Sequence, residues 1–462
     1  MADISKITIQ SGTYNIKDEV ARETLSLYVT PEMYGAVGDG ETDDTLAFRS
    51  FINDNRTYKI LGKNKTYLIS GGLNFNKSDS ILDGNFSTLK LANNINNIDL
   101  FYIDAWANNV NNITIKNLTI DGNRINVTSN SKHAIRIYSG DTKTMNNITL
   151  TNLQIINCVD NAIGVYNDNT DISYCKNIII ENCKIDGCAI GICQSNVSTT
   201  IKNCEIKNTS SENITIDNGC SNCIVDNNLL EIHGHGGNIG LDECSNVSII
   251  NNIIDGLNNT ATSSYKNAIS INSRTGICEN IFVSNNIIKN HSRGISIGTD
   301  WSNNEYPTTV KKLSIDSNVF IDNTKDIYIQ QSDSNTSVYA RNNSYSSTSP
   351  LEKINAISSN ILFSCYNIDI KLNYTIEPTS NFSLIKNNNY IYEGICYINS
   401  LIQSSTATIS EGWKTIFTLP FSTNCNYNNY EIIYENNGSN AGNKEVDITS
   451  SNFRAYWINN ES

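Results

Sequence analysis

I-T-I-K-N-L-T-I, at residues 113–120, recurs as I-T-L-T-N-L-Q-I at 148–155 and as I-I-I-E-N-C-K-I at 178–185. Each copy alternates apolar and polar residues around one asparagine, which is the period of a strand and not of a helix. Aligned on this position, the repeat recurs in steps of 21 to 35 residues. The aligned residues are Asn117, Asn152, Asn182, Asn203, Asn227, Asn251, Asn285, Ser317 and Asn342.

Each unit contains a second alternating segment, such as H-A-I-R-I at 133–137 and N-A-I-S-I at 267–271. Two short strands cannot bury their isoleucines alone, so the units must stack on one another. Stacking aligns isoleucines inside and asparagines at a corner, where their amides pair between turns. The repeat therefore predicts an all-β fold, a parallel β-helix, in which Cys183 and Cys204 point inward as small apolar residues.

The N-terminal end of the repeats requires a cap, because an open β-helix exposes apolar side chains and unpaired strand edges. Y-G-A-V-G-D-G-E-T-D-D-T-L-A-F at 34–48 predicts a glycine turn and a helix with Thr42 as its N-cap. With K-T-Y-L-I at 65–69 and I-L-D-G-N at 81–85, it resembles the N-terminal signature of the pectate-lyase-like superfamily. That superfamily includes bacteriophage tailspikes and polysaccharide-degrading enzymes. The resemblance implies a right-handed parallel β-helix with an N-terminal capping helix and a C-terminal β domain.

We expect four segments. Residues 1–30, with a hairpin turning at Ser11-Gly12 and a helix beginning near Lys17, resemble the particle-attachment segment of phage tail appendages; a simple capping hairpin is the alternative. Residues 31–110 form the cap and first coils, and residues 111–345 form the β-helix. Residues 351–462 form a C-terminal β domain, which in related spikes trimerises the rod or binds carbohydrate.

The net charge of −13 disfavours nucleic acid and anionic lipid as partners. No apolar run is long enough for membrane insertion, and no secretion signal is evident. The thirteen cysteines are interpreted mainly as buried thiols. Cys220, Cys223, His233, His235 and Cys244 offer zinc-ligand types, but their spacing fits no zinc motif, so we predict no metal and no cofactor.

Catalytic groups on a β-helix must share an outward column on neighbouring turns. Aligning the second strands predicts two columns, the first being His133, Asn161, Cys188, Glu212, Gly237, Asn267 and Arg293. The second is Tyr138, Tyr166, Cys193, Asp217, Asp242, Asn272 and Gly298. Asp217 and Asp242 then lie about 5 Å apart on consecutive turns, near the carboxyl spacing of retaining glycosidases.

Asp217 and Asp242 are therefore predicted to be catalytic, and Glu212 and His235, which are close to them in sequence, are further catalytic candidates. Substrate contacts are predicted at Tyr138, Tyr166, Glu243, Asn272 and Arg293. A solvated acidic surface is the alternative interpretation. Polygalacturonase activity is not expected, because Arg293 stands where the resemblance to those hydrolases places a histidine.

These features favour a phage tailspike or receptor-binding protein, a homotrimer in the virion that contacts tail or baseplate proteins. It would bind and cleave a bacterial cell-surface polysaccharide, with hydrolysis favoured over elimination. The alternatives are a non-catalytic glycan-binding adhesin, a bacterial pectate-lyase-like glycanase and a purely structural rod.

Overall fold

The computed structural model describes residues 6–9, 12–15, 27–127, 133–140, 142–232, 237–257, 266–273, 276–298, 308–332, 336–347, 351–356, 360–365, 382–392, 395–404, 412–418, 444–448 and 452–457. The chain divides into two compact units. The first comprises residues 1–339 and 345–361, and the second comprises residues 340–344 and 362–462. No helix in these ranges is long and apolar enough to cross a membrane.

Parallel strands in the first unit form two stacks. One stack is an eleven-stranded sheet. Its strands are Leu73–Asn74, Phe101–Ala105, Ile135–Ser139, Ile163–Asn167, Ile192–Ser195, Ile214–Asp217, Ile239–Asp242, Asn267–Asn272, Arg293–Ile297, Lys325–Ser332 and Leu351–Ala356. The last strand pairs in parallel with Lys325–Ser332, so the stack continues past residue 345.

The second stack runs through the remaining parallel strands. They are Tyr28–Val29, Asp39–Asp43, Tyr58–Ile60, Thr66–Ile69, Ser80–Leu91, Val110–Asp121, Met145–Ile156, Cys175–Glu181, Lys184–Asp186, Thr199–Lys202, Glu205–Thr209, Ile224–Asp226, Leu229–Ile232, Ser245–Ile250, Ile253–Asp255, Cys278–Ser284, Ile287–Lys289, Val310–Asp316, Val319–Ile321, Ser337–Asn343 and Asn360–Cys365. Chain segments alternate between the two stacks, which confirms the predicted parallel β-helix.

The interior consists of aliphatic side chains that repeat at one position per turn. Ile113 pairs with Ile148, which pairs with Ile178, and all three are fully buried. Cys183 and Cys204 are also buried, which confirms their predicted inward orientation. The ten cysteines whose side chains are described are free thiols, Cys220, Cys223 and Cys244 among them.

The repeated asparagines have a backbone role that their pattern did not reveal. The nine aligned residues, from Asn117 to Asn342, all have φ between 52° and 58°. This left-handed conformation is costly for most residues and is best tolerated by glycine and asparagine. Their side chains also pair between turns: the Asn152 amide donates to Asn117 over 2.7 Å, and that of Asn227 donates to Asn203 over 2.8 Å.

A second amide ladder lies inside the core, one residue after the left-handed corner. The side-chain amide of Asn228 donates to Asn252, that of Asn252 to Asn286, and that of Asn286 to Asn318, over 2.9 to 3.0 Å. All four residues are at most 2% exposed. Earlier turns hold Leu118, Leu153, Cys183 and Cys204 at this inward position, so the ladder replaces apolar packing by continuous hydrogen bonding.

The capping helix covers Thr45–Ile52 and buries Phe48, Phe51 and Ile52. The predicted N-cap was wrong, since Asp44 occupies that position and Thr42 lies in the strand Asp39–Asp43. The carboxylate of Asp39 accepts hydrogen bonds from the backbone N–H and the hydroxyl of Thr42, which hold this residue in the preceding turn. Short 3-10 helices cover Pro31–Tyr34, Arg124–Asn126 and Ile172–Tyr174.

Near the N-terminus, Lys6–Ile9 pairs antiparallel with Gly12–Asn15, as the predicted hairpin requires. The helix expected near Lys17 lies outside the described residues. In the second unit, Phe382–Tyr392 pairs antiparallel with Ile395–Ser404. A three-stranded antiparallel sheet contains Gly412–Thr418, Lys444–Ile448 and Asn452–Trp457.

The corner asparagines can be tested at Asn152. Replacement by alanine should cost about 2 kcal/mol in the free energy of unfolding, because both the left-handed conformation and the amide contact to Asn117 are lost. Glycine restores the conformation alone and should cost about 1 kcal/mol. Urea denaturation measures both, with Thr151→Ala as a control expected within about 0.5 kcal/mol of wild type. Equal costs for alanine and glycine would contradict a conformational role.

A pH effect is expected from His291, whose ring nitrogens have no hydrogen-bond partner among the described residues. Burial lowers the pKa of His291 from 6.5 to about 4. As the pH falls below 6.5, the unfolded chain takes up a proton that the native ring refuses, so this histidine destabilises the fold progressively. His291→Leu should gain about 2 kcal/mol in relative stability between pH 7 and pH 5, measured by urea unfolding. A pH-independent difference would refute it.

Candidate functional site

The outward face of the eleven-stranded sheet holds most of the predicted site residues. In the strand Ile214–Asp217, Ile214 and Ile216 are fully buried in the core, so Thr215 and Asp217 project from the opposite face. Asp242 is only 8% exposed and Asn272 only 7%. Asp242 and Asn272 are therefore largely shielded from solvent, whereas Asp217 is half-buried.

Asp217 and Asp242 occupy one column of the sheet. Ile214, Thr215 and Ile216 pair with Ile239, Gly240 and Leu241, so each aspartate is the next residue in register. The column continues on both sides, because Ser195 pairs with Asp217 and Asp242 pairs with Asn272. Neighbouring parallel strands are about 4.8 Å apart, which puts the two carboxylate-bearing residues one strand spacing from each other.

Glu212 lies just before the strand that ends at Asp217 and is 8% exposed. Its carboxylate accepts a hydrogen bond from the Ser211 hydroxyl. Burial raises the pKa of the neighbouring Cys193 thiol, and the negative charges of Asp217 and Glu212 raise it further. Both carboxylates therefore act on the same small region of the sheet face.

Amide and hydroxyl groups extend the face beyond Asp242. Asn272 Oδ1, Asn267 Oδ1 and Ser296 Oγ are buried and have no hydrogen-bond partner among the described residues. Asn267 Nδ2 donates to Ser270 Oγ over 3.2 Å. Asn272 is 7% exposed and lies beside the acidic column, whereas Asn267 and Ser296 are fully buried.

Arg293 and Glu243 have defined intramolecular contacts. The guanidinium of Arg293 lies over the Tyr328 ring, 4.0 Å from its centroid. Glu243 has φ of 52° and accepts a 3.0 Å hydrogen bond from the backbone N–H of Gly276. Glu243 therefore holds a neighbouring loop residue. His235 lies outside the described residues.

One turn of the predicted columns was wrong. Ile163 pairs with Ile192 and Tyr166 with Ser195, so Ser195 replaces Cys193 in the second column. The same two-residue shift puts Ile190, and not Cys188, in the first column. The reason is Gln194, an inward residue with 0% exposure that pairs with the Thr199 hydroxyl and breaks the apolar alternation.

Tyr166 belongs to a hydrogen-bonded chain that the sequence analysis missed. Asp99 Oδ1 lies 2.8 Å from His133 Nδ1, and His133 Nε2 lies 2.9 Å from the Tyr166 hydroxyl. A carboxylate only accepts hydrogen bonds, so Nδ1 carries the proton and Nε2 accepts from Tyr166. A Cβ on Gly164 would lie 2.5 Å from atoms of both His133 and Tyr166, so glycine is required between them.

In the hydrogen-bonded chain of Asp99, His133 and Tyr166, the negative charge is on Asp99. Burial raises its pKa, but hydrogen bonds from the His133 side chain and backbone outweigh burial and lower the pKa overall. Burial raises the pKa of Tyr166, which keeps the phenol protonated at neutral pH. The hydrogen-bonded chain therefore keeps the Tyr166 phenol protonated and Asp99 ionised.

Aromatic residues cluster next to this chain. Tyr138 pairs in register with Tyr166 and with Asp104 on the other side. The Arg136 guanidinium lies 4.7 Å from the Tyr138 ring centroid and 5.3 Å from that of Tyr102. The signal that identifies this region is F-Y-I-D-A at 101–105, an earlier copy of the second strand that was not aligned with the others.

Residues 32–234 match the family model described as rhamnogalacturonase A/epimerase, pectate lyase-like. A 56-residue stretch, 12% of this chain and 6% of the relative, is 45% identical to a capsule K30/K69-specific depolymerase of Klebsiella phage K64-1. The match thus spans a small part of that curated relative. Residues 32–234 are therefore similar to pectate-lyase-like proteins, and the described β-helix resembles a tailspike in fold.

Two solved structures illustrate the likeness in fold. A mutant tailspike protein of E. coli bacteriophage HK620, in complex with a pentasaccharide, has a TM-score of 0.53 at 12% identity, over 77% of this chain and 70% of that one. A hyperthermoactive exopolygalacturonase from Thermotoga maritima has a TM-score of 0.51 at 17% identity, over 74% and 96%.

Proposed function

We propose that this pectate-lyase-like β-helix is a phage tailspike or receptor-binding protein that binds and cleaves a bacterial cell-surface polysaccharide. The observation that carries the proposal is the in-register placement of Asp217, which is half-buried, and Asp242, which is buried. Two carboxylates one strand spacing apart are the groups that hydrolysis of a glycosidic bond requires. The amides and hydroxyls around them suit a polyhydroxylated ligand.

In the proposed mechanism, one aspartic acid of the pair donates its proton to the departing glycosidic oxygen. The other attacks the anomeric carbon as a carboxylate, and water then hydrolyses the glycosyl ester with the first group acting as base. Two like charges about 5 Å apart repel by about 3 kcal/mol at an effective dielectric of 20. This repulsion favours one proton being shared by the pair, as an acid and a nucleophile require.

The phage assignment is supported by the short match to the Klebsiella phage depolymerase and by the fold shared with the HK620 tailspike. In this proposal, residues 1–30 attach the protein to the tail or baseplate, and the protein acts at the host surface from the virion. Of the predicted C-terminal segment 351–462, the part in the second unit, residues 362–462, would either trimerise the protein or bind carbohydrate.

A homotrimer is supported by an apolar stripe on the second stack. Leu229, Ile253, Ile287 and Val319 pair in register on successive strands, and the last three are 37% to 39% exposed. Phe282, on a strand of the same stack, is 48% exposed. A row of exposed aliphatic residues along a rod is typical of a protein contact surface.

Cleavage is tested with Asp217→Asn and Asp242→Asn. Each should lower the release of oligosaccharides from host capsule or wall glycan by about 100-fold or more, because amides neither donate the proton nor attack carbon. Binding of the intact polysaccharide should persist, since both amides keep their hydrogen-bonding shape. Reducing-end release and surface plasmon resonance measure the two properties.

Asp226→Asn is the matched control for these two variants, since it removes an aspartate from the second stack and should leave cleavage unchanged. If the wild-type protein binds the polysaccharide but releases no oligosaccharides, the protein is a non-catalytic adhesin. That alternative is favoured by the aromatic cluster around Tyr138, which can bind sugar without any acid. Undiminished cleavage by both variants would eliminate the acid pair as the active centre.

The apolar stripe is tested with Ile253→Lys and Ile287→Lys. Each places a charge in the proposed subunit contact, so the trimer should dissociate while the β-sheet circular dichroism is retained. Multi-angle light scattering reads the mass. Tyr58→Lys, at a residue 50% exposed away from the stripe, should remain trimeric. A monomeric wild type would count against the tailspike and favour a bacterial glycanase.

A further inference from the structure

Trp106 is a large aromatic side chain exposed on the rim of the sheet face. It follows the strand Phe101–Ala105 directly and is 63% exposed. Its ring stacks on Tyr138, with centroids 5.9 Å apart and planes inclined by 19°. Two nearly parallel rings thus form a platform, which we define as Trp106 and Tyr138.

A glycine on the neighbouring turn leaves space for the Trp106 indole. Ala105 pairs with Ser139, so Gly140 is the next residue in register with Trp106. A Cβ on Gly140 would approach Trp106 Cε3 to 3.0 Å, which is tighter than ordinary contact. A side chain at that position would push the indole off its present position.

Tyr138 is held in place from three sides. Its hydroxyl donates to the Asp168 carboxylate, and the Arg136 guanidinium lies 4.7 Å from its ring centroid. The Tyr102 ring lies 6.5 Å away on the neighbouring strand. A ring fixed in this way loses little conformational entropy when a ligand packs on it.

Carboxylates surround the platform. Asp104 accepts the backbone N–H of Trp106 over 3.2 Å, and Asp168 accepts the Tyr138 hydroxyl. Burial raises the pKa of Tyr102, and the negative charge of Asp104 raises it next. Arg136 lowers it, and Asp99 and Asp168 raise it by smaller effects. The platform therefore lies in a region of negative potential.

Arg136 offsets part of this potential, but its charge is paired with Asp99. Its Nη1 lies 3.5 Å from Asp99 Oδ2, and its guanidinium is within 6 Å of three tyrosine ring centroids, those of Tyr102, Tyr138 and Tyr166. Asp99 therefore compensates its charge. Asp104 and Asp168 leave the surroundings of the platform net negative.

We infer that Trp106 and Tyr138 form a pyranose-binding subsite that takes a neutral or amino sugar and rejects a uronic acid. The flat rings bind the apolar face of the sugar, and Asp104 and Asp168 accept hydrogen bonds from its hydroxyl or amino groups. A sugar carboxylate would be repelled by the same two aspartates.

The inference deepens the proposed function and rests on it for the idea that a glycan occupies this face. Tyr138, Tyr166, Ser195 and Asp217 follow one another in register. The platform is therefore three strand spacings, about 14 Å, from the acid pair. A saccharide chain crossing the strands would contact both places, with the platform binding units that are not cleaved.

The test uses the full chain carrying D217N and D242N, so that no probe is consumed. Oligomers of glucose and of N-acetylglucosamine are the neutral probes, and glucosamine oligomers are the amino probes. Oligogalacturonates of equal length are the acidic probes. Affinity is measured by calorimetry and by the change in tryptophan fluorescence. At least one neutral or amino series should bind about tenfold or more tighter than the acidic series.

Adding Trp106→Ala should weaken that binding about tenfold or more and abolish the fluorescence change. Phe86→Ala is the matched control, because Phe86 is also 63% exposed but belongs to the second stack, and it should leave affinity unchanged. Adding D104N and D168N should reduce the difference in affinity between the neutral and the acidic probes. That result would assign the discrimination to charge.

The inference is overturned if no neutral or amino probe binds, if acidic probes bind equally well, or if Trp106→Ala behaves like Phe86→Ala. These results are distinguishable from a failure of the proposed function. The proposed function would fail if the wild type neither bound nor cleaved host polysaccharide. A failure of the subsite alone would leave that binding and cleavage intact.

Discussion

The structure depends on the register between successive turns, which backbone hydrogen bonds of the parallel strands hold at every level. Left-handed asparagines such as Asn117 and Asn152 set the corner of each turn, and their amides tie that corner to the next. In the core, the side-chain amides of Asn228, Asn252 and Asn286 also form hydrogen bonds between successive turns. Because the register propagates through the stack, residues far apart in sequence come into one outward column. Columns, and not local motifs, are therefore the unit in which this protein builds a site.

The outward face of the eleven-stranded sheet combines two kinds of chemistry. Asp217 and Asp242 provide a half-buried and a buried acid group, whereas Trp106 and Tyr138 provide stacked aromatic rings on earlier turns. The Asp99–His133–Tyr166 chain lies between them and fixes the intervening side chains through short hydrogen bonds. Such an arrangement holds the side chains rigidly before any ligand arrives, which reduces the entropic cost of binding.

The strand period and the apolar columns were predictable because isoleucine and asparagine recur at fixed positions and physics allows few ways to bury them. The placement of Asp217 and Asp242 in one column was predicted from the same alignment of the repeats. The count failed at Ser195, because the inward Gln194 hides the true register behind a polar residue. It also failed at Thr42, where side-chain hydrogen bonds to Asp39 compete with helix initiation. The Asp99–His133–Tyr166 chain was missed since its contacts depend on the space left by Gly164, which no periodicity records.

The unequal length of the turns has an evolutionary consequence. The step from Asn203 to Asn227 and the step from Asn227 to Asn251 are both 24 residues and begin and end at the same corner conformation. Recombination between two such corners would delete or duplicate a complete turn and rejoin equivalent backbone, leaving the stack above and below intact. A lineage carrying this fold can therefore change its number of turns in whole modules without redesigning the interior.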